Sequence, residues 1–212
     1  ISVQRAIFTL WDKSGKVCCN FISWSDIRAA DTTRAMNKNI KWKFVKLGAA
    51  IVSRFTGSTM LTAIGMLDFV TDHALSRLNW LFEKRSDVYE RAINGDLMFG
   101  TLDTWFVYKL TGGKVHATDT SNAASTSLYN HFDNKWNSIF CNLFKIPMGI
   151  LPEVKETKDN FGNTSKDIFD GAEIPIGALV GDQMASLFGH CCFNKGDVKI
   201  SQGSGSFVDI NM

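Results

Sequence analysis

Runs of β-branched and aromatic residues, and apolar positions three or four apart, divide this chain into elements. Near its start, "RAIFTLWDKSGKVCCNFISW" sets two β-rich runs around Asp12-Lys13-Ser14-Gly15-Lys16. A polar loop with a glycine free to turn left-handed joins them, which predicts a hairpin. Met36, Ile40, Phe44, Leu47 and Ile51 then recur at helical spacing and predict one helix with that stripe facing inward. Gly57 and Gly65 interrupt the pattern that follows. Leu75, Leu78 and Leu81 suit one further helix, with Trp80 beside them. Ser86 is placed to cap another that runs to Asn94 and stops at Gly95. From Thr101, residues Leu102, Trp105, Phe106 and Leu110 share a helical face closed by Gly112-Gly113. Asp133 to Phe144 carries a last short helix of this region, ended by Pro147.

The stretch from Gly149 to Pro175 is polar and loop-rich. Beyond it, "IGALVGD" predicts a buried strand and "QMASLFGH" a helix with Met184, Leu187, Phe188 and Cys191 inward. "DVKISQGSGSFVDI" predicts two strands around a glycine loop. Strands alternating with helices argue an α/β fold containing parallel strands.

Composition narrows the picture little. The chain has 212 residues, 45% hydrophobic and 21% charged, with a formal net charge of +2. That is an ordinary folded domain, with no global reason to expect nucleic acid as a partner. Locally the balance shifts: no acidic residue lies between Asp31 and Asp68, while Arg34, Lys38, Lys41, Lys43, Lys46 and Arg54 do. A solvated basic face is the expected outcome there. Peripheral contact with an anionic membrane is the sharper alternative, kept open by Trp42 and Phe44. No apolar run has the length of a membrane span. The cysteines, Cys18-Cys19, Cys141 and Cys191-Cys192, lack the CxxC spacing of a zinc site. An odd count with no leader ahead of it predicts reduced thiols in a cytoplasmic protein, and an unused Asn163-Thr164-Ser165 sequon.

Three constellations could carry chemistry. Asp182 and Gln183 sit where a strand meets a helix, and Asp182 reads equally well as a helix cap or as a base at a strand end. Gly203-Ser204-Gly205-Ser206 could bring backbone N–H groups close to a phosphate, or could be a plain hairpin turn. Arg5 and Trp24, at the outer ends of the first hairpin, could grip a polyol or form a surface cation–π pair. His73, His116, His131 and His190 are scattered and suit solvated or core roles.

Taken in order, these residues resemble the FGGY carbohydrate kinase family, and within it the glycerol kinases. "VQRAIFTLWDKSGKV" is similar to the family's Q-R-E hairpin, and "GTLDTWFVYKLTGGKVHATDTSNAAST" resembles its GT-x-D-T-W block. "ILPEV" and "GDQMASLFGHCCFNKGDVKISQGSGSF" continue the resemblance to about residue 208. It implies an actin-like, ribonuclease-H-like domain, and ATP with Mg2+ as the phosphoryl donor system. Asp182 then matches the catalytic base and Gln183 its neighbouring substrate contact. Arg5, Trp24 and Phe207 match groups that hold and wall the polyol, and Gly203, Ser204 and Gly205 the loop near the nucleotide phosphates. Homo-oligomers occur in the family.

Departures point to a divergent member, of the glycerol kinase 5 type. The family's acid beside the hairpin arginine is Ala6 here, its substrate-contacting Tyr falls nearest Asp72 or His73, and Ser204 replaces Thr. The family's opening phosphate-loop strands and its second, adenosine-binding domain have no counterpart in residues 1–212. These residues are therefore expected to be most of an N-terminal kinase domain, inactive alone and part of an active parent, or of an impaired one that binds ligand without turnover.

Overall fold

The computed structural model describes residues 1–203 and 205–212. In chain order the elements are β1 (Ser2–Val3), β2 (Phe8–Asp12), α1 (Ala30–Lys38), α2 (Ile40–Thr56), α3 (Thr59–Met66), α4 (Ala74–Lys84), α5 (Ser86–Ile93) and β3 (Leu97–Thr101). There follow α6 (Leu102–Leu110), β4 (Ala117–Asp119), α7 (Thr120–Ala124), β5 (Tyr129–Asn130), β6 (Lys135–Trp136) and α8 (Ser138–Leu143). The chain closes with β7 (Glu153–Lys155), β8 (Val180–Gly181), α9 (Asp182–Gly189), β9 (Val198–Gln202) and β10 (Ser206–Ile210).

The strands pair two by two among the described residues. β1 runs parallel to β8 and β4 parallel to β7, as the α/β expectation requires. β2 pairs antiparallel with β3, β5 with β6, and β9 with β10. The first hairpin forms, but only through the bridges Phe8–Ile22 and Trp11–Val17. The main partner of β2 is instead β3, a strand that the sequence pattern hides because "LMFGT" runs directly into a helix. Gly100 shows why that pairing is tight. A Cβ there would lie 2.4 Å from the Trp11 ring and 2.7 Å from Thr104 Cβ.

The larger core gathers Phe8, Leu10, Trp42, Leu75, Leu78 and Phe99, and a smaller one joins Val107, Ala117, Phe161, Ile176 and Leu179. Helix α4 buries Leu75, Leu78 and Leu81 as its spacing predicts. Several other faces differ from expectation. The single helix over 36–51 is two, broken at Asn39, whose extended backbone (ψ 125°) lets its side chain accept from the Lys41 and Trp42 N–H groups. In α2 the buried positions are Trp42 and Ala49, while Ile40, Phe44, Leu47 and Ile51 point outward. Trp42 wins the inward side because its ring packs on Phe69 and Phe140 at centroid distances of 5.0 and 5.5 Å.

Helix α6 likewise buries Asp103, Thr104, Val107 and Tyr108, not the Leu102/Trp105/Phe106 face. Asp103 accepts a 2.7 Å hydrogen bond from Thr118 Oγ1, and burial pushes its carboxyl up to about 6. Ser86 is the first residue of α5 and makes no cap, since Arg85 occupies that position. The residues before Ser138 form β6 rather than helix, and Asn137 caps α8 by accepting from Phe140 N–H. Helix α9 buries none of its residues, and Phe188 packs against Phe193 on the surface.

Candidate active site

Parallel pairing of β1 with β8 brings residues about 180 positions apart to one edge, and the candidate site lies where both strands end. Val3 sits opposite Gly181, so the next residues, Gln4 and Arg5, emerge beside Asp182. Arg5 lies across the Gly181 backbone so closely that a Cβ on residue 181 would come within 2.6 Å of the Arg5 Cγ and Cδ. Its Nε is buried without a hydrogen-bond partner. A guanidinium donor left open at a cavity wall is a group waiting for an acceptor.

The cavity measures about 370 Å³, at the small end of the about 300–1,000 Å³ usual for small-molecule sites. Arg5, Trp24, Asp182, Gln183, Gly203, Gly205 and Phe207 all border it. Trp24 and Phe207 meet edge to face at 6.5 Å and form its apolar wall. Gly205 lies close against that wall: a Cβ there would sit 3.0 Å from the Phe207 ring, which would have to give way by a few tenths of an ångström. The last predicted position, Ser204, lies outside the described residues.

Asp182 is the first residue of α9, and the cap position belongs to Gly181, which offers no side chain. One carboxylate oxygen, Oδ1, accepts from the Gln183 N–H at 2.9 Å. The reading as a simple N-cap is thereby corrected: the carboxylate steadies its own helix turn and still borders the cavity. Gln183 is oriented from behind. Lys199, almost fully buried, donates to Gln183 Oε1 at 3.0 Å and to its main-chain oxygen at 3.2 Å, and pairs with Asp209 at 2.9 Å. With Oε1 occupied, the amide NH2 is the end free to donate to a ligand.

The strand end is itself held from below. Gly181 N–H donates to Ser121 Oγ at 2.7 Å, and Ser121 Oγ donates to Asp119 Oδ2 at 2.6 Å. Buried Asp119 also accepts from Ser121 and Asn122 N–H, from Asn122 Nδ2 and from Thr157 Oγ1. Ala6, held at φ 56°, donates its N–H to Ser125 Oγ on the same short helical segment. These positioning residues fall in "TDTSNAAST", within the block that resembles the family, and the local Asp-x-x-Asn capping pattern signals them as well.

Further residues border the cavity that the sequence does not single out for the site by spacing, among them Gln4, Ser125, Asp209, Asp72 and His73. Asp72 and His73 form its far wall, which corrects the expectation that all four histidines are solvated or in the core. Burial holds the His73 imidazole below its usual range. Arg77 sets that wall: fully buried, it donates to the Asp72 carbonyl at 2.7 Å and the Ile22 carbonyl at 3.1 Å. Burial pulls its guanidinium down to about 10. His116 and His131 stay outside the site, the first hydrogen-bonded to the Phe99 carbonyl at 2.7 Å and the second edge-on to Tyr129 at 5.5 Å. No group of three or more His, Cys, Asp or Glu among the described residues could cage a metal. All five cysteines carry free thiols.

A strand end that carries a carboxylate, a glycine turn and an Arg–aromatic wall thus border one cavity of an α/β domain. The profile of the FGGY family of carbohydrate kinases, N-terminal domain, matches residues 1–189, and the chain belongs to that family. Its fold is accordingly the actin-like one. It is 42% identical to glycerol kinase 5 of Bos taurus over all 212 residues, which are 40% of that protein. It is 38% identical over 215 aligned positions to glycerol kinase of Borreliella afzelii, with 100% and 39% of the two chains covered. The crystal structure of Plasmodium falciparum glycerol kinase with ADP superposes with a TM-score of 0.83 at 27% identity, covering 98% of this chain and 38% of that one. The chain thus spans about two-fifths of the relatives it matches.

Proposed function

We propose that the protein containing this chain is an ATP-dependent kinase that phosphorylates glycerol or a related polyol, and that residues 1–212 are most of its N-terminal, acceptor-binding domain. The carrying observation is the Asp182 carboxylate at the end of β8, beside the open Arg5 donor on one cavity wall. Arg5 and the Gln183 amide donate to acceptor hydroxyl oxygens, and Trp24 and Phe207 cover the carbon backbone. Asp182 takes the proton of the attacking hydroxyl as its oxygen bonds to the γ-phosphorus and ADP leaves. Transfer of this kind depends mainly on positioning, which the buried Lys199 and Asp119 networks provide.

The site residues fit Mg2+ in the way that ion is usually held, by one or two carboxylates together with substrate phosphates rather than a protein cage. Asp182 would be the carboxylate used; Asp72 and Asp209 also border the cavity, Asp209 being tied to Lys199, while the Gly203 N–H is held by the Gly205 carbonyl at 3.0 Å. When bound, Mg2+ would neutralise charge on the transferring group. The chain alone, without the rest of its parent, is expected to be inactive, and its reduced thiols accord with a cytoplasmic parent.

A coupled ADP-release assay on the full-length protein, with glycerol and a panel of small polyols, tests this reading. Asp182→Asn should lower kcat by about 10² to 10⁴ with the fold intact. Equal turnover by variant and wild type would remove Asp182 from the mechanism. A second reading, a ligand-binding module without turnover, rests on Ala6, where the related pattern has an acid. If wild type binds ATP but transfers nothing, and Ala6→Glu restores transfer, that reading stands.

A further inference from the structure

The outward face of α2 remains unexplained by the site. Ile40, Phe44, Leu47, Ile51 and Phe55 are all exposed, Phe44 by 66% and Phe55 by 84%. At 3.6 residues per turn they form one continuous stripe along the helix, opposite Trp42 and Ala49 in the core. Lys41 flanks the stripe on one side, and Lys43 and Arg54 on the other. Among the described residues none of these three cations has an ion-pair partner; the one salt bridge on α2 joins Lys46 to Asp68 at 2.6 Å. Helix α3 packs back on α2, with Gly65 set against Ala50, and carries no charged residue.

We propose that the α2 face is a docking surface for an anionic lipid surface, with the helix lying in the plane of the headgroups. An apolar stripe bordered by cations on both flanks is what an interfacial helix needs: the rings and branched chains enter the acyl boundary while the long basic side chains reach lipid phosphates. The lack of any acid from residue 32 to 67 adds the charge complementarity. It also argues against a second copy of the chain as occupant. A two-fold contact through this face would set basic flank against basic flank. Trp42 takes no part, being buried; Phe44 and Phe55 supply the aromatic contact instead. The α2 face is separate from the proposed active site, so the two readings fail independently.

The test is flotation of the full-length protein with vesicles of phosphatidylcholine alone and of phosphatidylcholine mixed with phosphatidylserine. Wild type should float with the mixed vesicles only, and less as salt rises. Phe44→Ser with Leu47→Ser should abolish flotation, with circular dichroism and turnover unchanged. Lys41→Gln with Lys43→Gln should weaken binding about fivefold per lysine removed. Failure to float with either vesicle, equal binding to neutral vesicles, or retained binding by the Phe44/Leu47 variant would overturn the proposal. So would a dimer, seen by sedimentation, that the Phe44/Leu47 variant separates.

Discussion

The cavity end of the molecule and the α2–α3 hairpin are built on opposite terms. Around Asp182, nearly every polar group has a partner: Gly181 N–H on Ser121, Ser121 on Asp119, Gln183 on Lys199. The exceptions include Arg5 Nε, Arg77 Nε and Asn122 Oδ1, and of these three residues Arg5 lines the cavity. On α2 the mismatch is apolar, a stripe of large side chains left in water above a well-packed inner face. A buried polar network is costly unless complete, so an unpaired donor on a cavity-lining residue marks a place for a ligand. An exposed apolar stripe is costly only in proportion to its area, so it marks a surface rather than a point.

Substitutions can break that contrast. The largest expected effect is on the inner side of the hairpin: Trp42→Ala should cost about 3–5 kcal/mol in urea unfolding, because its ring fills the space between Phe69 and Phe140. A cost under ~1 kcal/mol would mean α2 is not anchored as described.

Next is Asp103. Its carboxyl, raised to about 6 in the fold, titrates near 4 when unfolded, so the folded state holds the proton more tightly. The stability it contributes is full below about pH 4, declines as pH rises towards 6, and is gone above that, amounting to about 3 kcal/mol. Unfolding free energies measured from pH 4 to 7 should show this slope in wild type and lose it in Asp103→Asn.

Gly181→Ala brings the comparison to the cavity. The added methyl displaces the Arg5 stem, and kcat/KM of the full-length enzyme should fall about 10²-fold with little change in melting temperature. Lys199→Met should be milder, raising the acceptor KM about tenfold with less change in kcat, as Gln183 loses the bond that aims it. Smallest of all, Phe44→Ser on the outer face should alter unfolding free energy by no more than about 0.5 kcal/mol. A large loss there would show that the stripe is covered within the protein.

Much of this was legible beforehand, though unevenly. Helix α4, the β9–β10 hairpin and the strand–helix junction at Asp182 follow from spacing alone, because each keeps its period within one element. Spacing misassigned the faces of α2 and α6. In α2 a single large ring, Trp42, outweighs five aliphatic or phenyl positions. In α6 the close approach at Gly100 and the bond to Thr118 draw in Thr104 and Asp103 in place of apolar neighbours. Strand β3 was invisible, since its partner β2 lies almost 90 residues earlier.

By itself, then, the sequence determined the family, the alternation of strands and helices, and most of the residue types at the candidate site, because those rest on local pattern and motif order. Tertiary structure alone decided which residues meet. Parallel pairing of Val3 with Gly181 sets Arg5 beside Asp182, and Arg77 draws the Asp72 wall towards the strand leading to Trp24. It also decided which face of α2 looks outward, because burial is settled by the volume a neighbour leaves open and not by the period of the helix that fills it.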